Sequence, residues 1–163
     1  MTEFKIYDLP VSAGRIGISQ MPGRNGNLAD DIRAITDWSA ELVVSMTTLQ
    51  ELRDHGAKDL ADNLLAADIK WLSVPVSDFG APDLAVETVW DAMAPFFQQV
   101  LDQKGRILFH CFGGCGRSGM AAMRVMVDSG LDPSDALNAL RRIRPCAVET
   151  DAQLAWATKS AKL

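Results

Sequence analysis

The sequence predicts an α/β domain with a central, mostly parallel sheet of four to five strands flanked by helices. Short apolar runs alternate along the chain with stretches in which apolar residues recur at helical spacing. Alternation of this kind is typical of helices packed on a parallel sheet. With 163 residues the chain has the size of one domain with a sizeable core. We therefore expect residues 1–163 to form a single domain.

The predicted strands are short apolar runs bounded by Gly, Pro or polar residues. They are residues 4–8, 15–18, 42–46, 69–76 and 106–110. The first is expected to be an edge strand that ends at Leu9-Pro10. The third is apolar almost throughout, as in strands that are buried on both faces of a sheet.

The predicted helices show apolar residues at helical spacing, and several begin at a recognisable cap. They are residues 28–38, 49–56, 57–67, 86–101, 117–129, 133–143 and 151–156. Thr48 and Thr150 are expected to cap the second and the last, and Pro133 is expected at the first position of the sixth. Pro95 is expected to kink or split the fourth.

Charge and cysteine content limit the classes of function. The net charge is −5 and no run of Lys or Arg stands out, so binding to nucleic acid or to an anionic membrane is poorly supported. The first eight residues carry Glu3, Lys5 and Asp8, which fits neither a signal peptide nor an anchor. Three cysteines do not suggest a disulfide framework. We expect a reducing, cytoplasmic setting and no cofactor.

One stretch combines several chemical signals. The predicted strand 106–110 leads into a glycine-rich loop, in which Cys111 and Arg117 are separated by five residues and a predicted helix follows. Backbone amides of such a loop, together with the helix N-terminus, favour an oxyanion such as phosphate or sulfate. We expect Gly113, Gly114 and Gly116 to adopt positive φ there. Arg117 can hold two phosphate oxygens, and the same field favours a Cys111 thiolate that attacks phosphorus. Alternatively, Cys111 is an ordinary buried cysteine at a strand end.

Hydrolysis of a phosphate ester also needs a proton donor. Asp78 is the best candidate, because it lies in a Gly/Pro-flanked loop after a predicted strand, with Asp83 as the second choice. Ser118 can donate a hydrogen bond to the Cys111 sulfur, and Gln153 could place the attacking water. The alternatives are a turn aspartate, a helix-capping serine and an exposed helix glutamine.

Four segments resemble motifs of a known family. Residues 110–118, His-Cys-Phe-Gly-Gly-Cys-Gly-Arg-Ser, resemble the H-C-x5-R-[ST] signature of the cysteine-dependent protein tyrosine phosphatases. Residues 75–83 resemble the general-acid loop of their dual-specificity branch, and residues 144–153 resemble its R-P-x-A-[IV]-x-T-x-x-Q stretch. Residues 17–24 are similar to the N-terminal segment of the kinase-associated phosphatase subfamily.

The resemblance implies a protein-tyrosine-phosphatase-like sandwich and a role for each motif residue. It implies a phosphocysteine intermediate on Cys111, with Asp78 as general acid and later base. It implies that Arg117 binds phosphate together with the loop residues Phe112, Gly113, Gly114, Cys115 and Gly116. Ser118 would assist departure of the thiolate, Gln153 would orient water, and His110 would orient the loop. The implied substrate is a phosphorylated protein or a small phosphomonoester, with no metal.

Some residues depart from the family pattern or leave alternatives open. The single tyrosine, Tyr7, argues against a tyrosine-rich loop that clamps phosphotyrosine, and no basic residue lies between Cys111 and Arg117, which argues against inositol polyphosphates. Cys115 could form a protective disulfide with Cys111, with Cys146 as a competing partner. The other functions considered are a non-catalytic phosphate-binding module, a rhodanese-like sulfurtransferase, and a zinc site on His110, Cys111 and Cys115 that lacks paired C-x2-C spacing.

Overall fold

A five-stranded sheet forms the centre of the molecule. The structure is a computed structural model, which describes residues 3–159. Its strands are β1 (Ile6–Val11), β2 (Gly14–Ser19), β3 (Leu42–Ser45), β4 (Lys70–Ser73) and β5 (Arg106–His110). The order across the sheet is β1-β2-β5-β3-β4. Only β1 is antiparallel to its neighbour, so the predicted mostly parallel α/β sheet is confirmed.

Helices cover both faces of this sheet. They are α1 (Leu28–Asp37), α2 (Leu49–Asp54), α3 (Leu60–Ala66), α4 (Leu84–Asp102), α5 (Gly116–Asp128), α6 (Pro133–Ile143) and α7 (Asp151–Ala157). Successive side chains of a strand point to opposite faces. Phe109 of β5 accordingly packs with α4 and α5 in the larger apolar cluster, while its neighbour Leu108 packs with α1 and α3 in the smaller one. Within residues 3–159 no helix is long and apolar enough to cross a bilayer.

Two expectations about proline, an end of β1 at Leu9-Pro10 and a split of α4 at Pro95, were wrong. β1 does not stop at Leu9-Pro10 but continues to Val11. An edge strand tolerates proline, since the missing N–H need not pair with a second neighbour. Pro95 lies inside α4 and does not split it. The ring is exposed, so the carbonyl that loses its partner can bond to water, while Trp90 and Phe97 hold the helix in the core on its other side.

Candidate active site

The segment 111–117, called the Cys111 loop below, joins β5 to α5 at the carboxyl edge of the parallel strands. Gly114 has φ 75°, and a Cβ there would lie 2.7 Å from the backbone of Ser19, so the position requires glycine. The expectation of positive φ at Gly113 and Gly116 is wrong. Gly116 has a different reason to be glycine, because its Cβ would lie 2.8 Å from Gln153 Oε1.

Donors from outside the Cys111 loop hold its carbonyls in place from residue 111 to residue 115. The bonds are His110 Nδ1 to Cys111 O (3.3 Å), Met21 N and Arg24 Nη1 to Phe112 O (3.1 and 3.2 Å), Arg144 Nη2 to Gly113 O (3.0 Å), Arg144 Nε to Gly114 O (3.1 Å) and Val148 N to Cys115 O (3.3 Å). In a trans peptide the N–H points away from the preceding C=O. The amides of residues 112–116 are therefore turned to the inner side of the loop, and such an array suits an oxyanion.

The sulfur of Cys111 lies at the floor of this loop. Cys111 is 3% exposed and its thiol is free. Ser118 Oγ lies 3.2 Å from Cys111 Sγ, and Ser118 is fully buried. The N-terminus of α5, which begins at Gly116, adds partial positive charge beside the sulfur. A hydroxyl and a helix N-terminus therefore both lie next to the sulfur.

Arg117 is buried and held by a carboxylate that the sequence analysis did not identify. Its side chain is 1% exposed, and its Nη1 and Nη2 donate to Glu51 Oε2 and Oε1 at 2.8 and 2.9 Å. Nη1 also donates to Val76 O at 2.9 Å. The other edge of the guanidinium, formed by Nε and Nη2, contains a buried Nε–H that has no hydrogen-bond partner among the described residues. Asp78 Oδ1 lies 3.3 Å from Nη2.

Glu51 performs two tasks. Its backbone N–H bonds to Thr48 Oγ1, and its carboxylate accepts from the Thr48 amide at 2.8 Å, which forms the capping box of α2. The same carboxylate binds Arg117. Burial alone would raise the pKa of Glu51, but the bonds from Arg117 and Thr48 outweigh it and lower the pKa. Burial alone would lower the pKa of Arg117, but the bond to Glu51 and nearby negative charge raise it. The pattern T-x-x-E was a usable signal for the cap, although not for the arginine.

The segment 77–83, called the Asp78 loop below, follows β4 in the chain and reaches the Cys111 loop. The Asp78 side chain is 57% exposed, and one of its oxygens accepts from the Phe79 amide at 3.0 Å. Asp83 instead caps α4 by accepting from the Val86 amide at 2.9 Å. The structure thus brings Asp78 next to Arg117 and uses Asp83 as a helix cap.

Gln153 is fully buried, so the alternative of an exposed helix glutamine is wrong. Its Oε1 accepts from the amides of Glu149 and Thr150 at 2.9 and 3.3 Å, in the capping box of α7. Its Nε2 donates to Gly80 O at 3.1 Å. Gln153 therefore connects the Asp78 loop to the start of α7, close to Gly116.

His110 is fully buried and neutral. Burial is the main cause that lowers its pKa from 6.5 to about 4. Because Nδ1 faces the carbonyl of Cys111, the proton lies on Nδ1, and Nε2 accepts from Ser45 Oγ at 2.5 Å. Ser45 Oγ in turn accepts from Trp71 Nε1 at 2.8 Å. This chain of hydrogen bonds fixes the carbonyl that precedes the Phe112 amide.

Neither of the two candidate disulfides on Cys111 is present. Cys115 forms a disulfide with Cys146, and Cys111 is free. The cysteine count did not suggest this bond. It forms because segment 144–148, which contains Cys146, lies against the outer side of the Cys111 loop. Cys146 is exposed and Cys115 half-buried. Within residues 3–159 no three His, Cys, Asp or Glu side chains form a group that could hold a metal ion.

Comparisons with known proteins show which family this chain resembles. Residues 16–130 match a family model described as "Tc-R-P: Polymorphic toxin system, DSP-PTPase phosphatase". The chain is 26% identical over 153 residues to cyclin-dependent kinase inhibitor 3 of Mus musculus, which covers 88% of this chain and 71% of that protein. The protein of the same name from Rattus norvegicus is 25% identical over 154 residues, with the same coverage.

Solved structures show the same fold. Kinase associated phosphatase, with its catalytic cysteine replaced by serine, matches with a TM-score of 0.85 at 22% identity, over 98% of this chain and 95% of that one. Tk-PTP in its active form matches with a TM-score of 0.70 at 27% identity, over 91% of this chain and 92% of that one.

Proposed function

The chain belongs to the DSP-PTPase family and is a dual-specificity protein phosphatase, and from that premise we propose which residues carry the reaction. Cys111 is the nucleophile, Asp78 the general acid and base, and Arg117 the phosphate-binding cation. The backbone amides that follow Cys111 bind the phosphoryl oxygens. Ser118 and Gln153 serve the second half of the reaction.

In the first step the Cys111 thiolate attacks phosphorus and the ester oxygen leaves. The sulfur–phosphorus bond forms as the phosphorus–oxygen bond breaks, and Asp78 gives its proton to the leaving oxygen. The equatorial oxygens carry the negative charge of the transition state. They face the amides of residues 112–116 and the Nε–Nη2 edge of Arg117, whose buried Nε–H has no partner among residues 3–159. Donors that are already oriented need little reorganisation when this charge develops.

In the second step water attacks the phosphocysteine. Asp78, now a carboxylate, takes the proton from water, and the sulfur leaves as thiolate. Ser118 Oγ, 3.2 Å from the sulfur, donates a hydrogen bond to the departing negative charge. Gln153 holds the Asp78 loop through Gly80 O and lies beside the loop that carries the phosphoryl group, so it can orient this water.

The observation that carries this proposal is the approach of Asp78 to Arg117. The two residues come from separate loops, and Asp78 Oδ1 lies 3.3 Å from Arg117 Nη2. A phosphate-binding module has no need for a carboxylic acid beside the arginine that binds phosphate. A rhodanese-like sulfurtransferase has no leaving oxygen for it to protonate.

The substrate class and setting complete the proposal. Relatives that are named cyclin-dependent kinase inhibitors favour a phosphorylated protein as substrate over a small phosphomonoester. The Cys111 loop should also take inorganic phosphate or sulfate. We assign no nucleic-acid or membrane partner and regard residues 1–163 as one domain. A reducing compartment such as the cytoplasm would keep Cys111 as a thiol, and would also open the bond between Cys115 and Cys146.

Hydrolysis of para-nitrophenyl phosphate in EDTA tests the proposal, with wild type, Cys111→Ser and Asp78→Asn compared. Cys111→Ser should abolish turnover and still bind phosphate. Asp78→Asn should lose roughly 10²–10⁴-fold on an alkyl phosphate, whose leaving group needs the proton, and less on para-nitrophenyl phosphate. Asp83→Asn is the matched control, since Asp83 only caps α4. Unchanged hydrolysis of the alkyl phosphate by Asp78→Asn would show that the acid is another group.

A further inference from the structure

Val148 has a backbone conformation that valine rarely adopts. Its φ is 64°, in the left-handed region, where the Cβ comes close to the following carbonyl and a β-branched residue is a genuine outlier. The residue lies in the connection between α6 and α7 and is only 5% exposed. Such a conformation persists only where its surroundings hold it, and it is typical of functional sites. The contacts around Val148 should therefore show what holds it and what it serves.

The backbone torsions of Val148 set the angle between two peptide planes, and each plane contacts the candidate active site. The first plane contains the Val148 N–H, which donates to Cys115 O at 3.3 Å. The second contains the Glu149 N–H, which donates to Gln153 Oε1 at 2.9 Å. The first bond holds a carbonyl of the Cys111 loop outward, and the second orients the glutamine that we assign to the attacking water. Val148 thus connects the phosphate-binding loop to a residue that serves the second step.

Arg141 binds both of these peptide planes from the other side. It lies in the last turn of α6, and its Nε and Nη2 donate to Ala147 O and Val148 O at 3.0 and 2.9 Å. In a trans peptide the C=O and the N–H point in opposite directions. Ala147 O belongs to the plane of the Val148 N–H, and Val148 O belongs to the plane of the Glu149 N–H. One rigid, planar guanidinium therefore fixes the angle between the two planes, which a lysine ammonium cannot do.

Helix α5 packs directly on the same backbone. A Cβ at Gly119 would lie 2.7 Å from Val148 N and 3.0 Å from the Cα of Ala147, so no side chain separates α5 from the peptide that joins them. The packing on α5 fixes the position of this segment, and the two bonds from Arg141 oppose rotation at Val148. Within residues 3–159 Arg141 forms no ion pair with a carboxylate, so its donors serve these two carbonyls.

We propose that Arg141 is a positioning residue of the phosphatase reaction, which holds the torsion at Val148. The inference rests on the proposed phosphatase function. Arg141 acts through this backbone and not by contact with the reacting atoms. Without its two parallel donors, Val148 relaxes towards the extended region that valine prefers. The bonds from Val148 N to Cys115 O and from Glu149 N to Gln153 Oε1 then weaken together, so phosphate binding and turnover should both suffer.

Arg141→Lys tests this role, and Arg142→Lys is the matched control, because Arg142 is an exposed arginine of the same helical turn. The measured quantities are kcat/KM for para-nitrophenyl phosphate and the inhibition constant of inorganic phosphate, in dithiothreitol and EDTA. Dithiothreitol keeps Cys111 reduced and opens the bond between Cys115 and Cys146, which joins the same two segments. Arg141→Lys should lower kcat/KM and weaken phosphate inhibition, each roughly 10-fold, whereas Arg142→Lys should keep both values.

Replacement of Val148 separates positioning from stability. Val148→Gly removes the cost of a positive φ, whereas Val148→Ala also removes the packing of the side chain but keeps the Cβ that disfavours this φ. In the Val148→Gly background Arg141→Lys should therefore lose only about 3-fold in kcat/KM, and in the Val148→Ala background it should keep most of its loss. A residue that only stabilised the fold would change urea unfolding and leave the kinetics of the folded protein unaffected.

The outcomes distinguish this inference from the function on which it rests. If folded Arg141→Lys keeps the wild-type kinetics, or if Arg142→Lys loses as much, then Arg141 does not position the site, and the phosphatase proposal stands. An equal loss from Arg141→Lys in the Val148→Gly and Val148→Ala backgrounds would overturn the role of the torsion, and with it the inference. No hydrolysis by the folded wild type would instead overturn the proposed function and this inference together.

Discussion

Glu51→Gln should destabilise the fold and slow catalysis, because it removes the charge that faces a buried arginine. Glu51 holds Arg117 through two bonds of 2.8 and 2.9 Å, and the arginine side chain is only 1% exposed. Breaking a buried pair by removing one partner costs about 3–5 kcal/mol. The Glu51 side chain is 22% exposed, so solvent reaches part of the pair and we expect the lower end, about 3 kcal/mol.

The capping contribution has to be separated from this cost. The glutamine retains an oxygen that can accept from the Thr48 amide, so most of the capping box should survive. Thr48→Ala is the matched control, since it removes the hydroxyl half of the same box and leaves the carboxylate on Arg117. Its expected cost is about 1 kcal/mol. Urea unfolding of the three proteins, with the slope m held equal, gives the free energies.

Kinetics provide the second measurement. Without Glu51 the Nε–Nη2 edge of Arg117 is no longer oriented, so Glu51→Gln should lower kcat/KM and weaken inhibition by inorganic phosphate. Thr48→Ala should affect both much less. If Glu51→Gln costs no more unfolding free energy than Thr48→Ala and leaves phosphate inhibition unchanged, then the carboxylate acts only as a cap, and the reasoning about Arg117 is wrong.

Two further predictions concern His110 and the disulfide. Because the pKa of His110 is lowered by burial from 6.5 to about 4, the unfolded chain binds this proton first as the pH falls. The contribution of His110 to the free energy of unfolding is therefore complete above pH 6.5. It decreases towards pH 4 by about 1.4 kcal/mol per pH unit, and by about 3 kcal/mol in all. In His110→Asn the free energy of unfolding, measured with urea, should fall less between pH 6.5 and 5. His55→Asn, at an exposed position, should show the same fall as wild type. Equal slopes of the free energy against pH for wild type and His110→Asn would contradict the assignment. Cys146→Ser opens a link across 31 residues and should cost about 3–4 kcal/mol. Dithiothreitol should shift the unfolding of wild type by a similar amount and leave Cys146→Ser unaffected; a wild-type midpoint that reductant does not move would show that the bridge adds no stability.

Local patterns predicted the parts of the molecule that depend on neighbouring residues. Strand 106–110 was predicted with its observed bounds, and the caps Thr48 and Thr150 and the helix-starting Pro133 lie where the sequence placed them. The Cys111 loop belongs to this class, since strand, loop and helix are continuous in the chain. Asp78 could be found because strand ends of a parallel sheet share one edge.

Contacts between distant segments could not be predicted in this way. T-x-x-E indicates a capping box, but nothing in it shows that Glu51 will also meet Arg117, 66 residues later. Spacing alone suggested Cys111 as the partner of Cys115. The observed partner, Cys146, depends on how segment 144–148 packs on the Cys111 loop. The predicted split at Pro95 is absent, because the effect of a proline depends on which face of α4 is exposed.

The shape of the Cys111 loop explains why so many distant residues belong to the site. Each carbonyl from residue 111 to residue 115 is bonded by a donor outside the loop, and those donors belong to the β2–α1 connection, to β5 and to segment 144–148. Since the amides are turned inward only while the carbonyls are held outward, the phosphate affinity that we propose depends on the packing of the domain. Arg144 donates to the carbonyls of Gly113 and Gly114, and Arg24 donates to that of Phe112. Replacing either arginine should therefore weaken phosphate binding through the shape of the loop, although neither lies in it.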